Sequence, residues 1–243
     1  MRNSSETNEF GQPIGWPISN WSGAKRPSGE PLQGTYCRLE KYDAAAHGSQ
    51  VFEADRLDPS GKNWTYLPVG PFHKEADYLD WAEMATKSED PFFYAVIDAR
   101  SQKAIGSASL MRIQPNNGVI EVGYINYTPA LQRTPAATEA MYLLMRHCFE
   151  DLGYRRYEWK CDALNAPSRS AAERLGFQYE GLFRQDRMNK GRNRDTTWFS
   201  IVDGEWPLCR DALKTWLAAA NFDDEGRQRE SLRSIRTRLA PAV

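Results

Sequence analysis

From Val119 to Gly181 the chain alternates strand, helix, strand, helix and strand, an order that points to a mixed α/β fold. The turn Asn116-Asn117-Gly118 is a hairpin signal between strands expected at Ile105–Ile113 and Val119–Tyr127. Thr134 then suits a helix N-cap, and Pro135 suits the first helical position, where its missing N–H costs nothing. Apolar residues at Met141, Leu144, Met145, Cys148, Phe149 and Leu152 mark one helical face, and Gly153 stops it. Small side chains at Ala136 and Ala137 leave the first-turn amides open to an anion, which the helix dipole also favours. The same start equally describes a packed helix that binds nothing.

Tyr154 to Asp162 alternates aromatic or apolar residues with charged ones, as a half-buried strand does. Asn165 can cap a further helix, with Pro167 in its first turn, over Ser168 to Leu175. Gly176 ends it, and Phe177–Gly181 reads as a strand. Ahead of this block, Thr35–Glu40 reads as a strand and Asp43–Ala54 as a helix capped by Asp43. Lys74–Met84 is a second helix and Phe92–Asp98 another strand. Behind it, Thr196–Val202 reads as a strand, with helices expected at Glu205–Ala220 and Glu225–Leu239.

With 243 residues and 41% hydrophobic content, the chain supports one substantial domain with appendages. Residues 1–30 are rich in Pro, Gly and Ser and read as an irregular extension with hydrophobic anchors at Phe10, Trp16 and Trp21, stapled to the body by its tryptophans. Residues 31–204 form the expected domain and 205–243 a helical extension. A formal net charge of −1 argues against a nucleic-acid binder, although Arg184, Arg187, Lys190, Arg192 and Arg194 cluster near the expected active face. That cluster reads either as a solvated hairpin or as a contact for substrate or phosphate. The arginines after Arg227 alternate with acids and with the stripe Leu232, Ile235, Leu239, so this helix packs on the body or on a partner subunit. Four scattered cysteines and three histidines exclude a zinc or disulfide framework, and no metal is expected. No signal peptide or membrane-length apolar run is present, so a cytoplasmic protein without membrane or nucleic-acid partners is expected, as monomer or homodimer.

The ordered series resembles the GNAT superfamily of acyl-CoA-dependent N-acetyltransferases, and within it the RimJ/RimL-like branch. The matching pieces are Glu121-Val122-Gly123-Tyr124, the loop Gln132–Ala140 with its Thr-Glu-Ala ending, Asn165-x-x-Ser168, and Leu175-Gly176-Phe177 followed by Glu180-Gly181. The resemblance covers roughly residues 33 to 205. The resemblance implies an α+β fold, a central mixed and mostly antiparallel sheet that splays between Val119–Tyr127 and Tyr154–Asp162, flanked by helices. It implies acetyl-CoA as co-substrate, held by Ile125, Asn126 and Tyr127, by Gln132, Arg133, Thr134, Ala136, Ala137 and Thr138, and by Asn165 and Ser168. Pro135 departs from the family loop, which commonly has Gly there, and removes one amide donor. The family's common tyrosine donor is also missing, because its position is Ala172.

Acetyl transfer to an amine needs a neutral nucleophile and a proton donor for the departing thiolate. A lysine amine (pKa ~10.4) demands about 3–4 kcal/mol more help from a base than an α-amine (pKa ~8). Glu121 is the candidate base, with strand alternation placing Glu121, Gly123 and Ile125 on one face; it can equally be a surface glutamate paired with a neighbouring strand. Asp186 and Asp195 are the alternatives. Ser168 is the candidate thiolate donor or a second cap hydroxyl, and Asn165 orients the cofactor or merely caps. No cysteine sits in a nucleophile's setting, so direct attack on the thioester is expected. The acceptor is a primary amine, a protein N-terminus or a small molecule. The competing reading is a catalytically silent acyl-CoA-binding or sensing module of the same fold.

Overall fold

The computed structural model describes residues 5–241, so the outermost ends of both expected extensions lie outside the described residues. Its main sheet has the order β1-β2-β3-β4-β5-β6-β8-β7. The strands are β1 (Leu32–Gln33), β2 (Cys37–Lys41), β3 (Phe92–Asp98), β4 (Ala104–Gln114), β5 (Val119–Tyr127), β6 (Arg156–Asp162), β7 (Gln178–Asn189) and β8 (Arg192–Val202). Only β5 and β6 pair in parallel; every other neighbour is antiparallel, as the expected mostly antiparallel α/β sheet requires.

Helices cover both faces: α1 (Ser49–Asp55), α2 (Glu75–Lys87), α3 (Pro135–Arg146), α4 (Ala166–Leu175), α5 (Trp206–Leu217) and α6 (Leu232–Leu239). Each face therefore has its own apolar core. One joins Ile120, Val122, Leu144, Tyr157, Trp159, Phe199 and Leu213 with α3, α5 and α6. The other packs Phe52, Trp64, Tyr78, Trp81 and Phe93 around α1 and α2. Between two cores, the run Phe92-Phe93-Tyr94-Ala95-Val96-Ile97 is buried throughout, with no polar alternation.

The β5–β6 pairing runs only from Val119↔Arg156 to Val122↔Trp159. Beyond it the two strands diverge, since β6 stays bound through Asp162 to β8 while β5 follows β4. A bulge accompanies the divergence. Ser109 faces Gly123 but Ser107 faces Asn126, so β5 carries one residue more than its partner there, and Tyr124 turns to φ 46°. The extra residue breaks the expected alternation: Asn126, not Ile125, shares a face with Glu121 and Gly123. Ile125 and Tyr127 instead join the core of Ile120 and Val122.

Three further expectations change. Phe10 (76% exposed) and Trp16 (48% exposed) do not staple the N-terminal extension; Trp21 does, donating to the Asn116 carbonyl. The last helix begins at Leu232 rather than Glu225, because Asp223 accepts the Glu225 and Arg227 amides, Gly226 takes φ 75°, and Ser231 supplies the cap. The hairpin strand after Gly176 extends to Asn189, well past Gly181.

Candidate active site

α3 begins as its sequence indicates. Thr134 caps the helix by accepting the Ala137 amide at 3.2 Å, and Pro135 stands in the first turn. The preceding loop is already folded on itself: the amides of Gln132 and Thr134 donate to Thr128 and Leu131. Among the amides expected to receive phosphate, those of Arg133, Ala136 and Thr138 carry no hydrogen bond to the described residues. Thr138 is buried, and its hydroxyl accepts from Arg174 at 3.1 Å. The neighbouring Glu139, part of the Thr-Glu-Ala ending, is structural. Its carboxylate accepts the amides of Thr35, Tyr36 and Cys37. These free amides, the small Ala136 and Ala137 and the exposed Arg133 fit a phosphate group at this helix end.

Glu121 lies where β5 and β6 are about to part. It is 5% exposed, not a surface residue. Its Oε2 is held by Lys160 Nζ at 2.7 Å and by Arg112 Nε at 3.3 Å, while Oε1 has no hydrogen-bond partner among the described residues. Lys160 also binds Glu158 at 2.6 Å and sits 3.8 Å from the centre of the Trp198 ring. Burial raises the Glu121 carboxyl above the usual carboxylate range, with the Lys160 and Arg112 charges opposing that rise. Sequence reasoning did not single out Lys160, Arg112 or Trp198. The opposite charges of Glu158 and Lys160, two apart on one strand, were the available signal.

Ser168 approaches from the other face. Its Oγ accepts Trp159 Nε1 at 3.0 Å, and Trp159 points away from Glu121's face because it pairs with Val122. Asn165 performs the capping, accepting the Ser168 amide at 3.1 Å. The Ser168 hydroxyl is therefore not a second cap, and its proton has no acceptor among the described residues. Ala172 is buried in the core. Glu121 and Ser168 thus flank the divergence on opposite faces of the sheet.

Asp186 and Asp195 lie on the β7–β8 hairpin. Partial burial works against ionisation of Asp186, but hydrogen bonds from Arg187 and Thr196 hold its carboxyl below the usual range. The Gln185 amide and the Asn193 side chain do the same for Asp195. Tyr124 packs on Phe93, and the Tyr127 hydroxyl donates to the Ala137 carbonyl. All four cysteines are buried. Burial pushes the Cys37, Cys148 and Cys209 thiols up, that of Cys209 to about 11.

A model of the acetyltransferase (GNAT) domain family matches residues 40–178. The structure is similar to that of a GCN5-related N-acetyltransferase from Brucella melitensis, with a TM-score of 0.89 and 47% identity over 90% of this chain and 100% of that one. A protein described as uncharacterized N-acetyltransferase p20, from Bacillus licheniformis, is 32% identical over 148 residues, covering 58% of this chain and 80% of that protein. The RimL ribosomal L7/L12 alpha-N-protein acetyltransferase shares the fold at 19% identity and a TM-score of 0.59, over 71% of this chain and 94% of that one.

Proposed function

The chain belongs to the GNAT family of acyl-CoA-dependent N-acetyltransferases, and on that premise we propose that it acetylates a primary amine by direct attack on acetyl-CoA. The acceptor is a protein N-terminal α-amine or a small-molecule amine. Acetyl-CoA supplies the acetyl group as a thioester. Arg133 and the amides of Arg133 and Ala136 hold its phosphates, and the residues of β5 beyond Gly123 line its arm with Asn165.

The observation that carries this reading is the placement of Glu121 and Ser168 on the two faces of the strand divergence. Glu121 has one oxygen anchored by cations and one free, and it accepts the amine's proton directly or through water. Its raised pKa brings it closer to neutrality than Asp186 or Asp195, which makes it the better general base. Ser168 accepts from Trp159 and has its own proton to give to the thiolate. The burial that pushes the Cys37, Cys148 and Cys209 thiols up favours direct attack over an acyl-enzyme. Unpaired cysteines also fit a reducing cytoplasm.

The test is an acetyl-transfer assay over peptides and simple amines, beside calorimetric titration with CoA. Transfer to at least one amine supports the reading. CoA binding with no transfer to any amine leaves the silent binding module instead.

A further inference from the structure

The residues Lys62–Trp64 form one short turn between α1 and α2, and with Thr65 and Tyr66 they cross the open end of the β5–β6 divergence. Both sides of the gap hold this segment. On the β5 side, Asn63 Nδ2 donates to Asn126 Oδ1 at 2.5 Å, and Asn63 Oδ1 accepts Gln132 Nε2 at 3.1 Å. Gln132 Nε2 also donates to the Tyr127 carbonyl at 2.6 Å. On the β6 side, the Tyr66 hydroxyl donates to the carbonyl of Leu164, just past the end of β6, at 3.1 Å. The tip of the β7–β8 hairpin completes that side. Lys190 Nζ donates to the Trp64 carbonyl at 2.6 Å, and Asn189 Nδ2 donates to the Tyr66 carbonyl at 3.3 Å.

The two attachments differ in kind. Those on the β6 side use backbone carbonyls of the strap itself or of Leu164, and none touches a residue assigned to the cofactor. The β5 attachment runs through one side chain, Asn63, into Asn126 and Gln132 and, through Gln132, to Tyr127, positions that the family resemblance assigns to the cofactor. We propose that Asn63 is a positioning residue that latches the strap 62–66 over the gap, and that the latch yields when the cofactor takes Gln132 and Tyr127. Cofactor occupancy then sets where the strap stands and so shapes the acceptor side of the site. Asn126 gives this a second footing: it is 2% exposed, and its Nδ2 has no partner while its Oδ1 is committed to Asn63. A buried amide left half satisfied is costly, so this arrangement favours exchange for a better-matched partner.

The inference rests on the proposed function, and the experiment separates their failures. Hydrogen exchange at residues 62–66 is followed in the full chain with and without CoA, for the wild type and for Asn63→Ala, together with the rate of CoA association. CoA is expected to speed wild-type exchange in the strap severalfold. Asn63→Ala should show that faster exchange without CoA and should bind CoA severalfold faster, because the competing latch is gone. A residue serving only stability would not quicken binding. Should Asn63→Ala fail to fold, Asn63→Ser provides the same readout. If the wild type binds CoA with no change in strap exchange, or the variant binds no faster, the latch is refuted. Absence of CoA binding by the wild type would instead overturn the functional reading.

Discussion

A carboxylate taken out of water resists ionising, and Glu121 is such a group, with the Lys160 and Arg112 charges opposing the rise that burial causes. General acid–base help is worth roughly 10²–10⁴ in rate, so Glu121→Gln and Ser168→Ala should each lower turnover by about that factor with CoA affinity nearly intact. The sign with pH follows from the raised pKa. The base is lost by protonation as pH falls, beginning at higher pH than for an ordinary glutamate, so wild-type turnover should drop on the acid side. The deficit of Glu121→Gln should shrink as pH rises and the amine deprotonates unaided. Turnover of Glu121→Gln matching wild type from about pH 6 to 9, a range that spans an α-amine's titration near ~8, would move the base to Asp186 or Asp195. The inward-facing position of Glu121 followed from strand alternation and the cap at Asn165 from its spacing to Ser168, both local patterns. Arg112 and Asn63 were not legible, since long-range pairing brought them in without any local pattern, and for Lys160 only the opposite charge of Glu158 two residues away hinted at a role.

At the scale of elements, the N-terminus of α3 is the part whose function can be isolated. Thr134→Asp keeps a capping residue, so helix stability should hold. The added carboxylate would stand beside the phosphates, and like-charge juxtaposition costs several kcal/mol. CoA affinity measured by calorimetry should therefore fall far more than tenfold; a change within about twofold would show the loop misassigned. Thr134-Pro135 and Asn165 announced their helices because caps are local chemistry. The bulge at Tyr124 went unread, since an inserted residue shows only when the partner strand's register is known. The late start of α6 was missed because its charged stretch reads as helical, while the Asp223 and Gly226 turn overrides it.

For the molecule as a whole, the near-sequential strand order means most of the sheet can be added as the chain lengthens. Glu139 is an exception. It clasps the turn between β1 and β2 from about a hundred residues away, and a side chain on Gly34 would collide with its carboxylate. Hydrogen bonds to a charged group contribute about 1.5–3 kcal/mol each, so Glu139→Gln should release the slow exchange of the Thr35, Tyr36 and Cys37 amides before the rest of the sheet loosens. Amide exchange resolved by residue checks this, and unchanged protection at those positions would refute it. During synthesis, at about 5–20 residues per second, the first turn leaves the ribosome several seconds or more before the carboxylate that completes it. For that interval the beginning of the protein waits for its middle, and the nascent chain must keep an unfinished edge out of other company until residue 139 arrives.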